Sequence, residues 1–315
     1  VPYTDGVSSS ALIANLRHSG VTSPSRVASL RRLLSARPYL RFGDVSSGLS
    51  GLILERAQTR RLGTNSVVEF DGMWSSSLVD STYRGRPDNE SVDLSARLAG
   101  LQEVLDVTTK PIIFDGDTGG KPEHFRAAVR ALERNGVSAV IIEDKAGLKR
   151  NSLFGKEIPQ TLDDPDAFAE KIQAGRAARV TEDFMVIARI ESLIAGLDVA
   201  DALRRAQKYL DAGADGIMIH SRSPLPGEVF EFAKEYGSWR TGRPLVMVPT
   251  TYNATTEEDL AEQGARIIIH ANHLLRAAYP AMLGTALSIL EHGRTAEASD
   301  RLMSVQEILT LIPDN

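Results

Sequence analysis

Eight short apolar runs rich in Val and Ile, separated by stretches of helical periodicity and closed by polar or ionisable residues, predict an α/β protein folded as a closed (β/α)8 TIM-type barrel. The runs span 39–42, 67–70, 111–114, 139–142, 184–190, 216–219, 245–248 and 267–269. They are continuous rather than alternating, as strands covered on both faces must be, and strands separated by helices make a parallel sheet. Their ends carry Asp44, Asp71, Asp115, Glu143, Arg189, His220, Thr250 and Asn272. In a doubly wound sheet such groups gather at one crevice; spread over nearly every strand, they describe a rim.

Three junctions repeat one unit: a helix stopping at Gly136, Gly213 or Gly264, then Val or Ala, then a strand closed by Glu143, His220 or His270. Glycine suits a left-handed helix stop, so the repeat reads as helix, cap, strand and functional end. Before the barrel, Leu12, Ile13 and Leu16, then Leu30, Leu33 and Leu34, mark docking faces of extra N-terminal helices rather than a transit segment. After it, Ser304 and Glu307 form a capping-box pattern opening a short helix with Val305, Ile308, Leu309 and Ile312 on its apolar side. That helix packs either on its own barrel or on a neighbouring subunit. The expected organisation is a helical segment over 1–38, a catalytic barrel over 39–293, and a linker and helix over 294–315.

Composition narrows the chemistry. The 315 residues are 42% hydrophobic, enough for one large core, and a net charge of −5 argues against a nucleic-acid surface. With no cysteine, disulfides, thiolate metal sites and thiol catalysis are excluded. No apolar run approaches the roughly 20 residues that span a bilayer, so no membrane partner is expected and a cytoplasmic location is the default.

The densest signal is 114–120, where a buried strand ends in Asp115 and Asp117 around Gly116. If the strand continues through Gly116, the two carboxylates share a face. Alone, this pattern reads equally as a turn whose acids cap the next helix; Glu143 at the equivalent place on the next strand shifts it to a metal site. An oxygen-only set favours Mg²⁺, or Mn²⁺, over Zn²⁺. His270 and His273 are set aside as a metal pair, because the helix starting near Asn272 accounts for Asn and His as caps.

Lys149, Arg150, Asn151, Ser152 and Leu153 then offer successive anion-compatible groups in a segment, 150–161, without periodicity. Such a segment over the strand ends is a candidate lid. Arg189 and His220 point into the same rim, where a guanidinium grips phosphoryl or carboxylate oxygens in bidentate fashion. The competing reading of Arg189 is a structural pair with Glu191. Residues 70–78, including Trp74, Ser76, Ser77 and Leu78, leave the second run with three hydroxyls and several amides able to hold a carboxylate.

Taken in order, 74–78, 86–88, 115–119, 143–145, 149–153, 188–191, 220–221, 249–250 and 271–273 resemble the phosphoenolpyruvate mutase branch of the isocitrate lyase superfamily. The resemblance implies interconversion of phosphoenolpyruvate and phosphonopyruvate, within phosphonate biosynthesis; the C-terminal helix makes a homodimer or homotetramer the expected assembly. It implies that Asp115 contacts Mg²⁺ while Asp88, Asp117 and Glu143 hold its waters. It places Ser76 and the Ser77 amide at the substrate carboxylate, Asn151, Arg189 and His220 at the phosphoryl group, and Asp88 near phosphorus. Lys149 belongs to the closing loop, and Trp74, Leu78, Ser152, Leu153 and Thr250 lie around the substrate.

Hydrolases of phosphonopyruvate resemble the mutases but tend to carry Thr where this chain has Asn151, and C–C lyases carry a loop cysteine that is absent here. The alternatives are therefore phosphonopyruvate hydrolase and a cysteine-free lyase. Two departures stand out: 44–48 reads Asp-Val-Ser-Ser-Gly instead of the usual Glu-Ala-His-Asn-Gly, and Ser75 and Ser77 replace glycines beside the substrate serine. Serine would be strained at either position if the backbone there had positive φ.

Overall fold

The computed structural model describes residues 21–147, 149–153 and 160–312. Its strands are β1 (Leu40–Val45), β2 (Gln58–Arg60), β3 (Val67–Glu69), β4 (Gly72–Ser75), β5 (Ile112–Asp115), β6 (Ala139–Glu143), β7 (Met185–Ile190), β8 (Gly216–Ile219), β9 (Leu245–Met247) and β10 (Ala265–His270). Eight of them close a barrel in the order β1, β10, β9, β8, β7, β6, β5, β4. Every neighbouring pair in it is parallel.

Alternate residues fill the interior: Leu40 and Phe42, Trp74, Ile113, Ile141, Met185 and Ile187, Met218, Val246, Ile267 and Ile269 form one buried cluster. The residues between them face the surrounding helices. Phe125, Val129 and Leu132 of the helix Pro122–Arg134 are buried at helical spacing beneath such a cover. Each fully buried large apolar side chain contributes about 1.5–3 kcal/mol. Both faces of the strands are thus dry, which is why the sequence shows unbroken apolar runs.

The helix Ser23–Ala36 closes the N-terminal end. Leu30 joins the barrel cluster, with Leu33 and Leu34 packed against it. The helix is tied to the strand starts, because Ser138 Oγ donates to Arg26 O at 2.7 Å and Arg31 donates to Asp183 O and Asp215 Oδ1. The earlier face of Leu12, Ile13 and Leu16 lies outside the described residues. With one end sealed by this helix, functional groups are left to the other.

The second run is corrected. Residues 67–69 pair antiparallel with β2 in a separate hairpin, and Val67 is 62% exposed. The barrel strand is β4, Gly-Met-Trp-Ser, whose only large apolar residues are Met73 and Trp74. Gly72 is required there because a Cβ would run into the Phe42 ring on β1. Asp71 consequently stands before its strand, at the sealed end, where it pairs with Arg37 and accepts from Arg41 N at 2.8 Å. It is not a rim residue.

The three glycine stops are as expected, with φ of 86° at Gly136 and 97° at Gly213 and Gly264. Residues from Asn272 onward form a second compact unit. It holds the helix His273–His292, a 3-10 turn at Ala296–Arg301 and the helix Val305–Thr310. The reciprocal capping box between Ser304 and Glu307 is present. Asn272 holds the N-cap position of the long helix in a left-handed conformation, φ 60°, but its side chain makes no capping bond.

Candidate active site

Four strand ends and two loops bring the predicted groups together at the open end. Asp115 closes β5, and its Oδ2 accepts from Ser77 Oγ at 2.8 Å and Ser77 N at 3.2 Å. The amide assigned to the substrate carboxylate is thus already bonded to Asp115. Strand geometry stops at Asp115: Asp117 adopts φ 52°, which a short polar side chain tolerates. The shared face expected of a continued strand is replaced by a turn, held by Glu143 N donating to Asp117 O at 2.8 Å.

A cation sits where these acids meet. Lys149 Nζ is 2.7 Å from Asp88 Oδ1 and also donates to Asp117 Oδ1 and Ser77 Oγ. Asp88 Oδ2 accepts from Asn151 Nδ2 at 2.7 Å, so both oxygens of Asp88 are held by the loop. Burial works against the charged form of Asp115, but Lys149, Arg189 and Arg97 outweigh it and hold the carboxyl at about 2. Arg97, buried behind the strand, donates to Asp115 O at 2.5 Å and Ser75 O at 3.1 Å and braces this corner.

Glu143 is 1% exposed. Arg189 Nη2 and Lys145 Nζ stand 3.1 and 3.2 Å from its oxygens, yet neither oxygen accepts an aligned hydrogen bond. Burial, with Glu191 adding to it, pushes Glu143 up to about 7 against the pull of Arg189 and Lys145. Buried carboxylate oxygens without hydrogen bonds fit an additional cation or its waters. The donor chemistry of Asp88, Asp115, Asp117 and Glu143 therefore suits a hard divalent ion. Among the described residues, however, no three acidic or histidine side chains form a ready ligand group. Lys149 holds the place between Asp88 and Asp117.

Arg189, on β7, makes the structural pair with Glu191 that the sequence offered as its competing reading. It pairs with Glu191 through Nε, and its Nη2 reaches Ser152 Oγ at 2.7 Å and His220 Nδ1 at 3.0 Å. His220 follows β8, and its Nδ1 lies 2.8 Å from Glu191 Oε1 as well as 3.0 Å from Arg189 Nη2, so it donates to the carboxylate in one tautomer and accepts from the guanidinium in the other. Burial lowers the pKa of His220 from its ordinary value.

Trp74 lies in the barrel cluster, and Ser76 caps the helix Ser77–Tyr83 by accepting from Val79 N at 3.4 Å. Leu78 is in that helix, Thr250 follows β9, and Leu153 is 38% exposed at the far end of the loop segment. Of the candidate lid, residues 154–159 lie outside the described residues. Neither Ser75 nor Ser77 has positive φ, so the glycine replacements carry no backbone strain. In the other departing stretch, Ser47 caps the helix Gly48–Arg56 in a box with Ser50.

Sequence reasoning gave no role to Lys145, Arg97 or Asp144, the first and last of which it met only within the matching stretch 143–145, and treated Glu191 as the rival partner of Arg189. All are buried. A charge at 0–5% exposure must be paired, and the signal was available in Glu-Asp-Lys at 143–145 and Arg-Ile-Glu at 189–191, charges abutting apolar strands.

Fold and rim together define a β/α-barrel enzyme that sets carboxylates beside a loop carrying an ammonium, an amide and a hydroxyl. Comparison with known proteins makes this specific: the model of the family described as phosphoenolpyruvate phosphomutase matches residues 30–290. The chain belongs to that family, within the phosphoenolpyruvate mutase/isocitrate lyase superfamily. It superposes on a phosphoenolpyruvate phosphomutase from Streptomyces platensis subsp. rosaceus with TM-score 0.82 and 36% identity, covering 90% of this chain and 94% of the other. It is 39% identical over 247 residues to a phosphonopyruvate hydrolase of Variovorax sp. (strain Pal2), 78% of this chain and 84% of that one. A phosphonopyruvate hydrolase crystallised with oxalate and Mg²⁺ superposes with TM-score 0.79 and 34% identity, covering 92% and 95%.

Proposed function

We propose that the chain is a phosphoenolpyruvate mutase, moving a phosphoryl group between C3 of phosphonopyruvate and the enol oxygen of phosphoenolpyruvate. The observation that carries this is the double engagement of Asp88: Lys149 binds one oxygen and Asn151 the other. A hydrolase must activate a water beside phosphorus, and an acid bonded on both oxygens by loop donors is poorly placed to take its proton. Asn151 itself supplies an amide donor that can keep a phosphoryl group in place.

On this reading Arg189 and Asn151 hold the phosphoryl oxygens and Ser76 the carboxylate. Asp115, with Asp88, Asp117 and Glu143, would hold Mg²⁺ or Mn²⁺. When bound, the ion supplies Lewis-acid stabilisation of the charge on the pyruvate enolate. Burial of Lys149, Ser152 and Arg189 keeps water from a loosely bonded phosphoryl group in transit.

The second reading is phosphonopyruvate hydrolase, favoured by the 39% identity to such an enzyme. Phosphorus NMR of phosphonopyruvate turnover separates the two. A lyase reading finds no cysteine to act as the loop acid. We also infer a homodimer or homotetramer through the C-terminal unit, where Val305, Ile308, Leu309 and Ile312 are 52–73% exposed. Light scattering showing a monomer at micromolar concentration would contradict it.

A further inference from the structure

The phosphoryl side of the site is organised by a residue that the proposed chemistry does not itself use. Glu191, just after β7, is 0% exposed. Its Oε1 accepts from Arg189 Nε and lies 2.8 Å from His220 Nδ1, and its Oε2 accepts from Ser152 Oγ at 2.5 Å. Its own N–H donates to Asp144 Oδ1 at 2.8 Å. Asp144 in turn accepts from Tyr209 OH at 2.7 Å and Arg205 Nη1 at 3.1 Å, both on the helix Val199–Asp211. One carboxylate therefore joins a strand-end arginine, a strand-end histidine and the loop, and is itself braced from an outer helix.

Ser152 is the loop's counterpart. Its hydroxyl accepts from Arg189 Nη2 at 2.7 Å and from Lys145 Nζ at 2.9 Å while donating to Glu191. A hydroxyl has one proton and two acceptor sites, so every one is in use and none remains for a substrate.

We propose that Glu191 and Ser152 act as a positioning pair: Glu191 fixes Arg189 and His220 with one oxygen and anchors residues 149–153 through Ser152 with the other, so that Asn151 meets Asp88. Ser152 thereby serves the loop and not the ligand. The proposal rests on the reading of Arg189 and Asn151 as phosphoryl holders, but its structural half is separable from that reading. The segment 149–153 has no helix or strand of its own; side-chain bonds of Lys149, Asn151 and Ser152 hold it, together with Lys145 Nζ on Arg150 O and Gln160 Nε2 on Asn151 O, and Ser152 also accepts from that Lys145. Removing the Ser152 hydroxyl takes one partner each from Arg189 Nη2 and Lys145 Nζ and leaves the buried Glu191 Oε2 without its hydrogen bond, a large loss for one atom.

The test is tryptic cleavage at the exposed Arg150, followed by mass spectrometry on substrate-free protein, alongside steady-state kinetics with phosphonopyruvate. Ser152→Ala keeps every charge and is expected to speed cleavage about tenfold, the shift given by losing a buried charge-assisted network bond. It should lower kcat more than it raises KM, since the substrate keeps its carboxylate contacts while the phosphoryl holders lose their alignment. Glu191→Gln should do the same, and the double variant should be no worse than the stronger single, the mark of two residues acting as a unit. If Glu191→Gln does not fold, Ser152→Ala alone decides. Cleavage of Ser152→Ala at the wild-type rate overturns the proposal, as do fully additive effects in the double variant. A wild-type protein that fails to turn over phosphonopyruvate would remove the functional reading, and the cleavage result would still decide whether Ser152 holds the segment.

Discussion

Lys149 Nζ stands 2.7 Å from Asp88 Oδ1 and bonds also to Asp117, so a loop ammonium holds the position between two of the four acids assigned to a divalent ion. The acids raise the pKa of Lys149 against the opposing effect of its burial, so it is charged there. Two cations cannot share that place without strong repulsion. Lys149→Met should therefore tighten Mg²⁺ binding in the absence of substrate by about tenfold, or about 1.4 kcal/mol, measured by titration calorimetry. Turnover should fall at the same time, because the loop loses its bond to Asp88. Unchanged or weaker Mg²⁺ affinity would show that the ion and the ammonium occupy different places.

Asp115 carries the opposite expectation. Held near 2 by Lys149, Arg189 and Arg97, it is ionised at any working pH and available to an ion. Asp115→Ala should abolish metal-dependent turnover and leave the far-ultraviolet circular dichroism unchanged, since the barrel core lies on other residues. Surviving activity would place the metal site elsewhere.

At the sealed end, Gly72→Ala tests the corrected strand. Its Cβ would meet the Phe42 ring, and Phe42 is fully buried with nowhere to move. Overpacking of this kind costs about 1–3 kcal/mol, readable as a lower urea midpoint with an unchanged slope. An unchanged midpoint would mean that β4 does not pack against β1 as described.

That strand also shows where the sequence was legible. Seven of the eight barrel strands were visible because their faces are largely buried and their runs mostly apolar, unbroken in 139–142 and 216–219 and interrupted by Arg41 and Arg189 in two others. β4 was hidden because close approach to Phe42 demands glycine and the rim demands serine, leaving two apolar residues, while the hairpin strand at 67–69 mimics a core strand with Val67 largely exposed. In the site, Asp115, Glu143 and Arg189 were visible because each interrupts an apolar run. What could not be read was partnership: that Ser77 is spent on Asp115, that Ser152 is spent on Glu191, and that Lys149 crosses 61 residues of chain to Asp88 are facts of closure in space.

A pH effect follows from Glu257. Burial alone would raise its pKa, but hydrogen bonds from His270 and Arg41 outweigh burial and hold it far below the ordinary glutamate value. A depressed native pKa adds stability that is complete above the unfolded value, about 4.3, and is lost as pH falls below it. Glu257→Gln should therefore flatten the loss of urea stability between pH 5 and pH 3, compared as about two such measurements per protein. Parallel wild-type and variant curves would contradict the assignment.

Whether the phosphoryl group is transferred or released decides the enzyme's identity, and phosphorus NMR follows its fate directly. Incubating the protein with phosphonopyruvate and Mg²⁺ should produce the phosphoenolpyruvate resonance as the first new signal. Inorganic phosphate appearing first would contradict the account and make the enzyme a phosphonopyruvate hydrolase.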